Sequence, residues 1–423
     1  MSSTVWLLTA GFGVLILAGV PFAFAIGIVV AASLILADID PILLPQTFMA
    51  GTQSFSLLAI PFFMMAGELM SAGGLSQRLI KVADVFVRHL TGGLGHVTVL
   101  AAAIFAAISG SAPATTAAIG AIMIPAMAQR GYSKPFAAAL AVSAGVLAPL
   151  IPPSIAFVIW GVISEQSISR LFSAGIVPGL LMALSLMVVC WLHAKRNKVA
   201  LEPRASLHEI WTALREGFWA LLAPVIVLGG IYGGIFTPTE AAVVSCVYAL
   251  IVGSLIEKRL RWSEVPAIVW RSLKVTAIVM AIIVFSAGFG VLVAQEQLAP
   301  KLAAWLSSNV EQQWVMLLML NLTFFVLAAL MDEIAIMIVF GSMLMAIASA
   351  YGVDPIHFGT IIVTNVAIGM ASPPIGYCLF VGVAVSGLKL GQIAKAIWPF
   401  IICMLVVLML VTYVPAFSLA LQP

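Results

Sequence analysis

The chain has 423 residues, of which 63% are hydrophobic and only 8% charged, with a formal net charge of +3. So few charges cannot clothe one soluble core, and the apolar runs recur from end to end, which excludes an ordinary soluble enzyme and a nucleic-acid-binding module. The composition describes an all-α polytopic membrane protein in a lipid bilayer.

In chain order, apolar segments run at about 4–36, 54–72, 95–130, 136–163, 171–192, 220–256, 273–293, 314–350, 357–385 and 391–417. No Lys or Arg precedes Arg78, so the first segment lacks the basic opening of a cleaved signal and is expected to remain a transmembrane helix. One crossing needs about 20 residues, and several runs exceed that. Gly19-Val20-Pro21 and the stretch from Gly234 to Pro238 divide two of them, which gives about ten spans plus two hairpins.

The first hairpin is predicted at 95–130, where Ser109-Gly110-Ser111-Ala112-Pro113-Ala114-Thr115-Thr116 interrupts an apolar run with small hydroxylated residues. The second, 314–350, carries Met331-Asp332-Glu333 at the matching place. Ser109 and Ser111 have a packing alternative, since small residues let membrane helices approach closely. An aspartate such as Asp332 at membrane depth costs about 2.5–3.5 kcal/mol, so it is expected to face an ion path, a wet cavity or a partner.

Helices are predicted to break at Leu147 to Pro153 within 136–163, and at Gly369 to Pro374 within 357–385. Each proline removes an amide hydrogen and displaces the carbonyl four residues earlier. Unwound backbone survives at that depth only inside protein or beside a wet cavity, where freed carbonyls can hold a cation.

These features recur at a spacing of 221 residues. Ile151-Pro152-Pro153-Ser154 aligns with Ser372-Pro373-Pro374-Ile375, while Gly67, Gly131, Gly161 and Pro178 align with Gly288, Gly352, Gly382 and Pro399. If the stretches near 73–92, 130–135, 193–219, 257–274 and 386–395 are cytoplasmic, 17 of the 19 Lys and Arg residues lie inside, with Arg170 and Lys301 outside. The amphipathic stretch from Ser76 to Asp84 then lies inside and its counterpart from Gln297 to Trp305 outside, so the two repeats are inverted.

Several lone features suggest no chemistry. Cys190, Cys246, Cys378 and Cys403 lie singly in apolar stretches, and the histidines show no ligand spacing. Glycines 229, 230, 233 and 234 give overlapping GxxxG spacings, expected to pack a helix pair. Glu240 is open to two readings, a functional carboxylate or part of a helix start capped by Thr239.

Taken together, the motifs resemble the large membrane subunit of tripartite ATP-independent periplasmic (TRAP) transporters. They are LLAIPFFMMAGELM at 57–70, SGSAPATTAAIGAIMIP at 109–125, IPPSI at 151–155, SISRLF at 167–172, AGIVPG at 174–179, GGIYGGIFTPTEAA at 229–242 and NVAIGMASPPIG at 365–376. Ser372 departs from the threonine expected there but keeps the hydroxyl.

The resemblance implies an elevator-type fold. Residues 1–72 and 220–293 would be the scaffold, 73–94 and 294–313 the arms, 95–192 and 314–423 the transport domain, and 193–219 the linker. It also implies import of an organic acid driven by sodium, with a small four-helix membrane subunit and a periplasmic substrate-binding protein, in a bacterial inner membrane, and no enzyme activity. Two sodium sites are expected. The first draws on Ser109, Ser111, Thr115 and the carbonyls of Leu147, Leu150 and Pro152; the second on Asp332, Thr364, Asn365, Gly369 and Ser372. Ser111, Pro113, Ser154, Asp332 and Pro374 are the expected substrate contacts. A proton- or sodium-coupled antiporter of related fold, acting alone, is the alternative.

Overall fold

The computed structural model describes residues 6–40, 42–199, 201–331 and 333–422. Among them the secondary structure is helical, and adding 221 to the bounds of an element in the first half repeatedly returns an element of the second. Helix α1 covers Phe12–Leu17, α2 Phe22–Leu36, α3 Leu43–Thr52, α4 Ala59–Ala72 and α5 Leu75–Val87. Then come α6 (Gly93–Ser109), α7 (Ala112–Gln129), α8 (Lys134–Gly145), α9 (Ile155–Ser164) and α10 (Ile168–Asn197).

The second half holds α11 (Leu207–Tyr232), α12 (Pro238–Ile251), α13 (Val265–Gln295), α14 (Leu298–Asn309), α15 (Gln313–Leu330) and α16 (Glu333–Ala350). It closes with α17 (Pro355–Met370), α18 (Tyr377–Ser386), α19 (Leu390–Ala396), α20 (Trp398–Tyr413) and α21 (Ala416–Leu419). At the repeat spacing α7 falls on α16 residue for residue, α6 on α15, α8 on α17 and α9 on α18, each within a few residues.

Five described helices are long and apolar enough to cross a membrane, and six more are shorter apolar helices. The shortfall against about ten full spans arises because the predicted runs are cut into half-helices. Large apolar side chains point outward on both halves: Leu180, Leu184, Val188 and Leu192 form one stripe along α10, and Trp398, Ile402, Val406 and Leu410 another along α20. The opposite faces of the same helices are buried, so both faces are apolar, as lipid contact requires.

Three boundaries differ from expectation. Helix α10 runs to Asn197 and α11 starts at Leu207, so within the predicted linker only 198–199 and 201–206 are irregular among the described residues. Lys195 and Arg196 sit in the last turn of α10, where cations are favoured by the helix dipole rather than excluded from the helix. Similarly, Arg271 and Lys274 lie within α13 rather than in a loop. Helix α3 was not anticipated.

Helix α5, expected to be an arm, is amphipathic. It buries Leu75, Leu79, Val82 and Ala83 and turns its charges to α11. Arg78 pairs with Glu216 and, at 2.9 Å, with Glu257, whose side chain is 6% exposed. These carboxylates, Glu257 foremost through its hydrogen bond, hold the guanidinium above its ordinary range. Arg88 reaches both Asp84 and Glu209. Glu68 likewise pairs with Arg271 of α13.

The glycines at the end of α11 do not pack a helix pair. A Cβ on Gly229 would meet nothing within 4 Å, while Gly233 caps the helix and Gly234 takes φ +69° in the turn that follows. Helix α12 is then started by Thr237, not Thr239. The Thr237 hydroxyl accepts from the Glu240 amide and the Glu240 carboxylate accepts from the Thr237 amide at 2.8 Å, a reciprocal capping box. Thr239 instead donates to the Phe55 carbonyl.

Candidate functional site

Each half brings a helical hairpin against a break in its own repeat. In the first, α6 ends at Gly110 with φ +58°, Ser111 is extended, and α7 begins at once, its Pro113 fitting the first turn. The unwound tip is therefore Gly110-Ser111 alone, shorter than the predicted 109–116. Ser109 and Thr115 are fully buried, with their hydroxyl oxygens 2.9 Å apart. Ser111 is also buried, its amide 3.5 Å from the Ser109 hydroxyl.

The facing break follows from its prolines. A continuing helix would bond the amide of residue 149 to the Gly145 carbonyl, but Pro149 has no hydrogen to give, and α8 stops there. Ala148 takes over that carbonyl, and the chain runs irregularly through the cis Pro152-Pro153 bond to Ser154. Tip and break touch: the Ile155 amide lies 3.4 Å from the Gly110 carbonyl, and a Cβ on Gly110 would stand 2.7 Å from the Pro153 oxygen. Glycines 67 and 145 allow the same closeness, with Gly67 of α4 backing onto Ser109 and Gly145 onto Thr116.

Not every predicted oxygen is equally available. The Leu147 carbonyl accepts from both Leu150 and Ile151, which uses its two lone pairs. The Leu150 oxygen faces Gly175 of α10, where a Cβ would stand 2.4 Å away. Ser154 is wholly buried, donates to the Pro149 carbonyl at 2.6 Å and accepts from the Phe157 amide, so its hydroxyl is spent capping α9. Two residues absent from the prediction add to this region: the hydroxyls of Thr116 and Ser143 are buried without a hydrogen-bond partner.

The second half repeats the arrangement. Here α15 ends at Leu330 and Met331 is extended; Asp332 lies outside the described residues, so its predicted role has no structural account. The break runs from Ala371 through the cis Pro373-Pro374 bond to Gly376. Its amides at Ile375 and Gly376 both point to the Ala329 carbonyl at 3.3 Å. Gly369 presses on Ala328, and its carbonyl accepts the Ser372 amide at 2.9 Å.

Thr364 and Ser372 are buried and donate their hydroxyl hydrogens to the carbonyls of Thr360 and Ile368, which leaves oxygen lone pairs outward. Asn365 is fully buried, and its side-chain oxygen has no partner. The two breaks differ in exposure. Pro152 and Pro153 are buried, whereas Pro374 is exposed together with Ile375 and Tyr377.

The second half of each broken helix crosses over to the other repeat: α9 packs on α16, and α18 on α7. At each junction the end of one half-helix meets the start of another: Gly110 at the end of α6 meets Ile155 at the start of α9, and Ala329 near the end of α15 meets Gly376 before α18, so both negative and positive ends of helix dipoles converge there. A cluster of hydroxyl and carbonyl oxygens at such a junction is chemically suited to a hard monovalent cation rather than to a transition metal. Among the described residues no group of three His, Cys, Asp or Glu side chains could hold a metal ion. Two cavities lie elsewhere. One, about 220 Å³, is apolar and lined by Leu8, Phe12 and Phe289. The other, about 790 Å³, opens between Ser54–Ser56, Glu165–Ser169 and the turn at Gly234–Glu240.

Paired hairpins and broken helices held among apolar spans define an all-α membrane transporter. The sequence profile of the tripartite ATP-independent periplasmic transporter family, DctM component, matches residues 9–417, and the chain belongs to that family. It is 43% identical to the C4-dicarboxylate TRAP transporter large permease protein DctM of Pseudomonas aeruginosa, over 88% of this chain and 87% of that one. The sialic acid TRAP transporter large permease protein SiaM of Vibrio cholerae is 37% identical over 96% of each chain. The isethionate TRAP transporter permease protein DctMQ of Oleidesulfovibrio alaskensis is 40% identical over 96% of this chain but only 64% of its own length. In three dimensions the fold is similar to that of the Alcanivorax borkumensis YdaH transporter, with a TM-score of 0.62, 17% identity and coverage of 90% and 89%.

Proposed function

We propose that this chain is the large permease of a sodium-coupled importer of a small organic anion. The observation that carries the reading is the repeated contact of a hydroxyl-bearing hairpin tip with a proline break. Oxygen ligands there belong to two separate elements, so an ion between them would tie tip and break together, which couples ion occupancy to substrate capture. The first ion would draw on Ser109, Ser111, Thr115 and the Pro152 carbonyl, with Thr116 and Ser143 in reserve. Leu147 and Leu150 are withdrawn from the expected set, because the Leu147 carbonyl is taken up by Leu150 and Ile151 and the Leu150 carbonyl is turned to Gly175. The second would draw on Asp332, Thr364, Asn365, Gly369 and Ser372.

The substrate reading follows from chemistry shared by the relatives, whose names specify C4-dicarboxylates, sialic acid, isethionate and 2,3-diketo-L-gulonate, all carboxylates or sulfonates. Ser111, Pro113 and Asp332 at the tips and the exposed Pro374 break are the proposed contacts; Ser154 is withdrawn from that set because it caps α9. The matched helix bounds support two copies of one unit, and the charge distribution supports their inversion across a bacterial inner membrane. Residues 95–192 and 314–423 would slide as an elevator past 1–72 and 220–293. A small membrane subunit and a periplasmic binding protein complete the proposed machine.

Sodium dependence tests the reading directly. With the complex in proteoliposomes at constant pH, Ser111→Ala and Asp332→Ala should each raise the sodium concentration for half-maximal uptake by roughly tenfold, the loss of one charge-assisted contact. Unchanged sodium activation in both variants would defeat it, and activation by protons alone would favour the antiporter class.

A further inference from the structure

One polar chain links four helices of the second half, and the residues at the repeat spacing in the first half do not form it. Asn321 on α15, Asn365 and His357 on α17, and Thr412 on α20 are each at most 3% exposed. The Asn365 amide nitrogen donates to the Asn321 backbone carbonyl at 2.8 Å and to its side-chain oxygen at 3.0 Å. The Asn321 side-chain nitrogen then donates to the Thr412 hydroxyl at 2.8 Å. His357 closes the chain, with Nε2 3.2 Å from the Thr412 carbonyl and Nδ1 2.5 Å from the Ser418 hydroxyl.

At the repeat spacing the equivalent residues are Leu100, Ala144, Phe136 and Trp191. Leu100, Ala144 and Phe136 are apolar, Phe136 stacks on His193 and Trp191 is 42% exposed, so the asparagine-threonine chain is particular to the second half. Buried amides cost free energy unless they are satisfied, and Asn365 keeps an acceptor unsatisfied at about 1–3 kcal/mol. The first half likewise leaves the hydroxyls of Thr116 and Ser143 unsatisfied beside its own break, so an unpartnered buried oxygen recurs at both candidate sites, which points to function.

The chain also fixes which atom of Asn365 is left over. A backbone carbonyl only accepts, so the atom of Asn365 facing the Asn321 carbonyl must be nitrogen. Both its hydrogens are then used, and the oxygen must point the other way. The same logic runs outward: Asn321 presents oxygen to Asn365 and therefore nitrogen to Thr412. Asn365 lies one turn before Gly369, which backs onto the hairpin at Ala328, and its unpartnered oxygen is buried in α17 one turn from the second break.

We infer that the Asn321 side chain and Thr412 are positioning residues: through the chain they hold the second hydrogen of the Asn365 amide, so that its oxygen stays aimed at the cation of the second site. The Asn321 backbone carbonyl holds one amide hydrogen whatever the side chain; without the Asn321 side-chain oxygen that holds the second, the amide pivots about that single bond and its oxygen swings away from the cation. The inference rests on the proposed ion reading of Asn365, and the test separates the two.

The test uses the reconstituted complex and reads the sodium concentration for half-maximal uptake at fixed pH, together with maximal uptake at saturating sodium. Asn365→Ala should raise the half-saturating concentration at least tenfold. Thr412→Val, which removes one hydroxyl from an isosteric side chain, and Asn321→Leu should raise it about tenfold while maximal uptake at saturating sodium is retained. Thr412→Ser should restore it to within twofold, and Thr412→Val should add nothing in the Asn365→Ala background. If Asn365→Ala shifts sodium activation while Thr412→Val and Asn321→Leu do not, or if the effect of Thr412→Val persists undiminished without Asn365, positioning is rejected and the ion site stands. If Asn365→Ala itself changes nothing, the ion reading of Asn365 falls, and the inference with it. Should Asn321→Leu fail to fold, Thr412→Val decides alone.

Discussion

At Gly110 backbone conformation and packing make the same demand. Its φ of +58° disfavours any side chain, and a Cβ would also stand 2.7 Å from the Pro153 oxygen. Gly131 separates the two effects, since its φ is +86° but a Cβ there would meet nothing within 4 Å. Gly131→Ala should therefore cost about 1 kcal/mol of stability, from the left-handed backbone alone. Gly110→Ala should cost about 2–3 kcal/mol, because tip and break must also part. Denaturation midpoints of the detergent-solubilised protein measure both; equal losses would show that the tip is not pressed on the break. Residues of this kind were partly legible. Prolines and glycines announce themselves because each changes the backbone, but the role of Ser154 as a cap, and the crowding of Leu147, depend on which amide the folded chain delivers. Asn321 and Thr412 carried no signal at all, lying 44 and 47 residues from Asn365 in sequence, on other helices.

The elements follow the sequence where periodicity and breakers agree. Both hairpins and both broken helices lie within a few residues of their predicted places, because paired prolines end a helix, whereas the single prolines Pro125, Pro178 and Pro224 are carried inside α7, α10 and α11. Basic residues misled at helix ends, where the dipole favours them, and α3 was hidden by Pro45 and Gly51 in a short mixed stretch. The arms show what the repeat alone does not dictate. Arm α5 is tied down by Arg78, Lys81 and Arg88 to carboxylates of α11 and of the segment before α13, whereas in α14 Lys301 donates to the Glu296 carbonyl. A charged arm on one face and a nearly uncharged one on the other is what inversion across a membrane would produce. Single cysteines replacing Gln77 and Gln297, in a variant without the native thiols, should accordingly react with an impermeant reagent from opposite sides. Labelling of both from one side would end the inverted arrangement.

For the whole molecule, the decisive question is whether this chain can transport by itself. Its outward face along α10 and α20 is apolar on both repeats, and α2, α11 and α13 also present large side chains, among them Phe24, Phe218 and Ile278. So much unsatisfied apolar surface suits lipid, a second membrane subunit or both. The DctMQ relative matches this chain over only 64% of its own length, so that protein holds a segment with no counterpart here. If a separate small subunit supplies it, the scaffold is incomplete alone, and an elevator needs a fixed scaffold to move against. In proteoliposomes with an inward sodium gradient, uptake should then appear only when the small subunit and a loaded binding protein are both present. Omitting either should reduce uptake to the level of empty vesicles. Sodium-driven uptake by this chain alone would reject the tripartite requirement and leave a self-sufficient transporter, while uptake with the small subunit but without the binding protein would show that capture of the anion resides in the hairpin tips themselves.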